Sequence, residues 1–213
     1  TVYDYDSIGR LRTKTVFLGA TSFDTQYTYV NNTVTGSTTS KVDTITNKGA
    51  SISYKYDANG NITKITEGNM SIDYYYNELN MLVQEDNQVL NKTVIYSYDL
   101  GGNLVSKLNI PYGTGSVRTT ATYAYDPVWK DKLISYNGNA ITYDAIGNPL
   151  TYIGYTYTWE EGRQLKSITG NGLNLSFKYN DKGIRTEKTS NGVTTIYYLS
   201  GDKVIQEDNG TDK

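Results

Sequence analysis

The carboxylates are the first residues to weigh for chemistry. Asp6, Asp57, Asp99, Asp126 and Asp144 each directly follow a tyrosine, and acidic neighbours stand at Glu85–Asp86, Glu160–Glu161 and Glu207–Asp208. A glycosidase needs two carboxyl groups facing each other across a sugar, roughly 5–10 Å apart. Adjacent residues of a strand point to opposite faces, so none of the acidic pairs serves alone. A calcium loop needs several oxygens converging within a few residues, and "DANGN", Asp57 to Asn61, supplies too few. An aspartate that returns at the same place in a repeated motif suits a different task. Its carboxylate can cap a turn by accepting from backbone N–H groups two residues on.

The chain has no cysteine and no histidine. That removes disulfides, Ser-His-Asp and Cys-His catalysis, and the usual nitrogen and sulfur sites for zinc. The reading is a non-enzymatic protein with no cofactor and no metal. A formal net charge of −2 gives no basic footprint, so nucleic acid is not an expected partner. No apolar run approaches the ~20 residues of a membrane-spanning helix. "GNGLNLSFKY", Gly170 to Tyr179, has glycines but no following helix or Lys-Ser/Thr, so it is not a phosphate loop. Triplets of the Asn-x-Ser/Thr kind, such as Asn61-Ile62-Thr63, follow from a chain rich in Asn and Thr. One binding hypothesis survives. Trp159 stands beside Glu160, Glu161 and Arg163, an aromatic plane with hydrogen-bonding groups that could stack on a sugar. Trp159, Glu160 and Arg163 are therefore candidate polysaccharide contacts, with packing between strands as the competing use of the aromatics.

The elements that carry these residues are written in the sequence. "SYKYDANGNITKI", Ser53 to Ile65, is echoed by "YDYDSIGRL", "YSYDLGGNL", "ITYDAIGNPL" and "FKYNDKGIR". In a strand Tyr54 and Tyr56 point the same way. Asp57 opens the turn, Gly60 takes the positive φ that ends a type I turn with a bulge, and Asn61 and Ile62 begin the return strand. Each unit is a β-hairpin. The expected turn residues are Asp6 and Gly9, Asp57 and Gly60, Asp99 and Gly102, Asp144 and Gly147, and Gly183. Taking the aromatic just before the turn as reference gives Tyr5, Tyr56, Tyr76, Tyr98, Tyr125, Tyr143, Tyr157 and Tyr179, with degenerate copies at Tyr29 and Tyr198. Asn80 replaces the glycine in "YYYNELNML". "YAYDPVWKDKL" calls for a longer loop around Pro127 and Trp129, and "YTYTWEEGRQL" has Thr158 in the aspartate's place.

Several spacings are near twenty residues, which is two strands of about 5–6 residues with two turns. One hairpin is unstable alone, whereas hairpins laid side by side share ladder hydrogen bonds and bury each other's aromatic faces. The 22 tyrosines fit such half-buried pleated surfaces. The expected fold is all-β: a single array, residues 1–213, of about ten tandem hairpins in an antiparallel sheet that curves and spirals into part of a shell.

These motifs resemble the YD repeats of the Rhs family, which also occur in insecticidal toxin-complex proteins, bacterial wall-associated proteins and teneurins. "YDYDSIGRL", "YKYDANGNI", "YSYDLGGNL" and "ITYDAIGNPLTY" carry the resemblance, and Trp129 to Leu165 looks especially like the Gram-positive type. The resemblance implies hairpins wound into a hollow β-shell around a C-terminal toxin or effector, in a secreted or cell-surface, wall-associated protein. It also implies a core segment after the repeats whose aspartates cut the cargo free. No stretch here resembles that core, so no autoproteolytic residue carries over. The chain opens on a repeat motif, and the expectation is a piece of a longer polypeptide. Its partners would be neighbouring repeats and the enclosed toxin or effector, with self-association through exposed sheet edges. The alternative is a carbohydrate-binding or adhesion module.

Overall fold

The computed structural model describes residues 1–31, 37–113 and 118–211. Among them are twenty-one strands and no helix. The first are β1 (Val2–Tyr5), β2 (Leu11–Leu18), β3 (Thr21–Asn31), β4 (Thr38–Asn47), β5 (Ala50–Tyr56), β6 (Ile62–Glu67) and β7 (Met70–Tyr76). Then come β8 (Leu82–Asn87), β9 (Lys92–Tyr98), β10 (Leu104–Pro111), β11 (Thr119–Tyr125), β12 (Leu133–Tyr136), β13 (Asn139–Ala140) and β14 (Thr142–Tyr143). The last are β15 (Pro149–Tyr152), β16 (Tyr155–Glu160), β17 (Gln164–Gly170), β18 (Leu173–Tyr179), β19 (Arg185–Ser190), β20 (Val193–Ser200) and β21 (Lys203–Asp208). They form two antiparallel sheets in which strand order follows chain order without a crossover. The chain divides into two compact units, Thr1–Ala121 and Thr122–Lys213, with the boundary inside β11.

Two kinds of turn alternate. At the front turns short backbone bonds close a tight bend. The Asp57 amide donates to the Asn61 carbonyl (3.0 Å) and Gly60 donates to the Asp57 carbonyl (3.2 Å). Gly60 has φ 95° and Asn80, in the glycine's place, φ 60°. The loop around Pro127 and Trp129 closes where Asp126 donates to the Lys132 carbonyl. Most of the described back turns join one hairpin to the next in two residues, whereas residues 88–91 make a longer one between β8 and β9. Asn137–Gly138, Asn171–Gly172 and Asn191–Gly192 all have positive φ at both residues, the type I′ geometry whose twist matches paired strands.

Pairing is offset from hairpin to hairpin. β5 pairs through Ala50–Ser53 with β4 and through Ile52–Tyr56 with β6, overlapping only at Ile52 and Ser53. β7 and β18 repeat the offset. At Asn139–Tyr143 the overlap vanishes. Asn139 and Ala140 pair with β12, the Ile141 amide donates to the Ile134 carbonyl, and Thr142 and Tyr143 pair with β15. No residue of that segment pairs on both sides, and there the first sheet ends and the second begins.

Only Val94, Ile141 and Phe177 are buried apolar residues among those described. The fold therefore depends on its ladders and on contacts between adjacent hairpins more than on a deep core.

Three expectations need correcting. In "YTYTWEEGRQL" the residue before the turn is Trp159, not Tyr157, because the bulge falls between Thr158 and Trp159 and Trp159 opposes Leu165. Thr158 is consequently a strand residue, with its hydroxyl on Ser167 (2.6 Å). In the last hairpin the position belongs to Leu199, opposite Val204, and not to Tyr198, because the two-residue turn Gly201–Asp202 shifts the register. The turn expected after Tyr29 lies outside the described residues.

Candidate functional site

The feature that recurs is a fastening. Each aromatic just before a front turn sits at a bulge and opposes a residue of its own return strand, as Tyr5 opposes Leu11 and Tyr56 opposes Ile62. A bulge leaves backbone groups outside the ladder, and the next hairpin uses one of them. The Tyr29 hydroxyl donates to the Leu11 carbonyl (2.7 Å), Tyr56 to Val42 (2.8 Å), Tyr76 to Ile62 (2.8 Å) and Tyr98 to Leu82 (2.7 Å). Tyr143 donates to Leu133 and Tyr179 to Leu165 (2.9 Å). Each acceptor is the residue that opposes the previous hairpin's aromatic. Every such bond ties one hairpin to the one before it.

Trp159 obeys the same rule. Its indole N–H donates to the Pro149 carbonyl at 2.7 Å, and Pro149 opposes Tyr143. The neighbouring candidate sugar contacts have separate partners. Glu160 pairs with Lys166 (3.2 Å), and Arg163 donates to the Ile146 carbonyl (3.1 Å). The three lie at one hairpin end, each with a different partner.

The turn residues form a second fastening. Asp57 accepts from the Asn61 amide (2.8 Å) and, through its other oxygen, from the Asn61 side chain (2.9 Å). Asn61 also donates to the Asn80 side chain of the next turn (2.8 Å). The buried Asn148 likewise donates to Asp144 (2.7 Å) and to the Gly162 carbonyl (2.6 Å). This explains why asparagine follows the turn glycine. Asp6 and Gly9 close the turn between β1 and β2, and Asp99 and Gly102 that between β9 and β10, by the same backbone bonds. Asp144 with Gly147 and Asn180 with Gly183 match them.

The same contacts shift the charges. Hydrogen bonds from the Asn61 side chain and backbone hold the Asp57 carboxyl below its ordinary value, and Asn103 does so for Asp99. At Asp144 burial pushes upward, and bonds from Asn148, Ile146 and Gly147 outweigh it. Burial pushes the phenols of Tyr56, Tyr76, Tyr98 and Tyr143 up. These are the signatures of structural contacts. Among the described residues no group of three or more acidic, histidine or cysteine side chains could hold a metal ion. No helix is long and apolar enough to cross a membrane.

Sequence reasoning missed a third fastening at the back turns. The Gln88 amide donates to the Ser71 carbonyl (3.1 Å) while its side-chain oxygen accepts from the Ser71 amide (2.7 Å). Asn137 does the same to Thr122, and Asn191 to Asn174. A side-chain amide thus extends the ladder by one residue where the backbone turns away. For Asn137 and Asn191 the available signal was an Asn-Gly pair at the hairpin-to-hairpin connection, whereas Gln88 carries no such signal.

No family model matches the chain. The "tRNA nuclease WapA" of Bacillus subtilis strain 168 is 34% identical over 133 residues, which is 61% of this chain and 5% of that protein. The "tRNA3(Ser)-specific nuclease WapA" of Bacillus spizizenii is 33% identical over the same length. The chain thus spans about a twentieth of the curated relatives it matches. Among solved structures, the Photorhabdus luminescens Tc holotoxin pore matches with TM-score 0.70 and 16% identity, over 100% of this chain and 12% of that one. The TcdB2–TccC3 crystal structure matches with TM-score 0.61 and 15% identity, over 96% and 13%. The fold is the one these toxin-complex structures contain.

Proposed function

We propose that this chain is a length of wall. It serves as a non-catalytic segment of an Rhs-type β-shell, in a longer secreted or surface polypeptide, that encloses a C-terminal toxin or effector. The observation that carries the reading is the repeated aromatic bond, Tyr56 to Val42 and its equivalents, which fastens seven hairpins each to its predecessor. A sheet built this way extends by identical steps and leaves unpaired edges only at its ends. The wall reading also gives the candidate chemical groups a structural use. Asp6, Asp57, Asp99, Asp126 and Asp144 cap turns, and the Trp159 indole N–H is used on Pro149, so the adhesion reading gains no support from that residue. The fold shared with toxin-complex structures supports the same role, and any nuclease activity of the kind named for the WapA relatives would belong to another part of the polypeptide.

The test uses the full-length parent polypeptide under limited proteolysis. The region downstream of the repeats is expected to resist digestion in the wild type. It should become sensitive when Gly170→Val opens the wall, because a side chain there meets the Gly154 backbone. Equal digestion of the downstream region in both proteins would overturn the proposal.

A further inference from the structure

Two residues before each turn aromatic the array places another one. The series is Tyr3, Tyr27, Tyr54, Tyr74, Tyr96, Tyr123, then Ile141, then Tyr157, Phe177 and Tyr197. Ile141 alone lacks a ring. It stands where the two sheets meet and the pairing overlap vanishes. On the same face a shallow cleft of about 300 Å³ is lined by Leu133, Ile141, Tyr143, Pro149, Tyr152 and Tyr157. Its walls are aliphatic and aromatic. Tyr152, one of its walls, meets Tyr136 and Tyr136 meets Tyr123 in tilted ring contacts, with centroids 6.2 Å and 5.2 Å apart. The Tyr143 hydroxyl is engaged with Leu133, and those of Tyr152 and Tyr157 have no hydrogen-bond partner among the described residues.

We infer that this cleft is a binding site for one aryl group, the ring side chain of a polypeptide segment lying against the sheet. The repeat itself supplies the argument. Nine of ten equivalent positions bring their own ring, and the tenth leaves a ring-sized gap bounded by tyrosines. Aromatic pairs in tilted or offset contact add to the area they bury, and small clefts of this kind take their specificity from a few polar groups at the margin. A pyranose is a poorer occupant, because its ring of hydroxyls would find only two tyrosine partners here. That the segment belongs to the enclosed polypeptide rests on the wall reading, whereas the cleft's preference for an aryl group does not.

The experiment titrates the folded chain with p-cresol and, separately, with methyl β-glucoside, and reads the proton signals of Ile141, Tyr152 and Tyr157 by NMR. Saturable shifts and intermolecular contacts to the Ile141 methyls are expected with p-cresol at millimolar concentration, and none with the glucoside. Ile141→Tyr, which restores the missing ring, is expected to abolish the p-cresol shifts. If that variant does not fold, the wild-type contacts decide alone. No p-cresol contact at Ile141, or shifts with the glucoside instead, would overturn the inference, and neither result would touch the protease test of the wall.

Discussion

At the scale of single residues the protein uses one hydrogen bond many times. The phenol of Tyr56 reaches a carbonyl that a bulge has left out of its ladder. Tyr56→Phe leaves that carbonyl without its donor at little change in shape, and a loss of about 1 kcal/mol is expected in urea unfolding. Tyr5 holds the equivalent place on the first hairpin, is 56% exposed and makes no such bond among the described residues, so Tyr5→Phe should be neutral. Equal effects from the two variants would argue against the fastening. Trp159 shows why residue type alone misled. An indole N–H replaces a phenol O–H as donor, so the aromatic before the turn did not read as tyrosine, and the unit was placed two residues early. Asp57, Gly60 and Asn80 were legible because turn chemistry admits few alternatives to them.

At the scale of elements, the back turns were the less legible part. An Asn-Gly pair announces a two-residue hairpin, yet the closeness of neighbouring turns depends on tertiary placement. Gly170 is the case in point, a glycine weighed in sequence only as part of a failed phosphate loop. A Cβ there would stand 2.1 Å from the Gly154 carbonyl oxygen, whereas at Gly172 it would meet nothing within 4 Å. Both residues have positive φ, 134° and 77°. Gly172→Ala should cost about 1–3 kcal/mol from backbone strain alone. Gly170→Ala should cost clearly more, since a backbone must move. Thermal unfolding of the two variants side by side checks this, and equal shifts in Tm would contradict it. The break at Ile141 was invisible for another reason. Isoleucine is a good strand residue, and only the register shows that its segment is too short to pair on both sides.

At the scale of the whole molecule, many equal contacts titrate together. The turn aspartates have depressed values, so their contribution is present above the ordinary aspartate value and is lost as pH falls through the depressed ones. The phenols have raised values, so theirs is complete below about pH 10 and is lost as pH rises through the raised ones. A phenolate also cannot donate to a carbonyl. Stability is therefore expected to fall in strong acid and again in strong alkali, with a flat region between. Chemical denaturation across pH measures it. Asp57→Asn with Asp99→Asn should flatten the acid limb only, since Asn77 already caps its turn as an amide. An unchanged acid limb in that double variant would contradict the assignment.

The backward direction of the aromatic bonds bears on how such a chain can be made. Where the bond is made, a hairpin fastens to the one before it, and the longest of these reaches spans 18 residues. No step waits for a distant part of the polypeptide, so the loop-closure cost that slows most β proteins is small at every stage. A chain emerging slowly from its N-terminus can set each hairpin onto a finished edge as it appears. The exposed edge then moves forward with synthesis, and a polypeptide many times this length could be assembled without ever holding more than one hairpin unfastened.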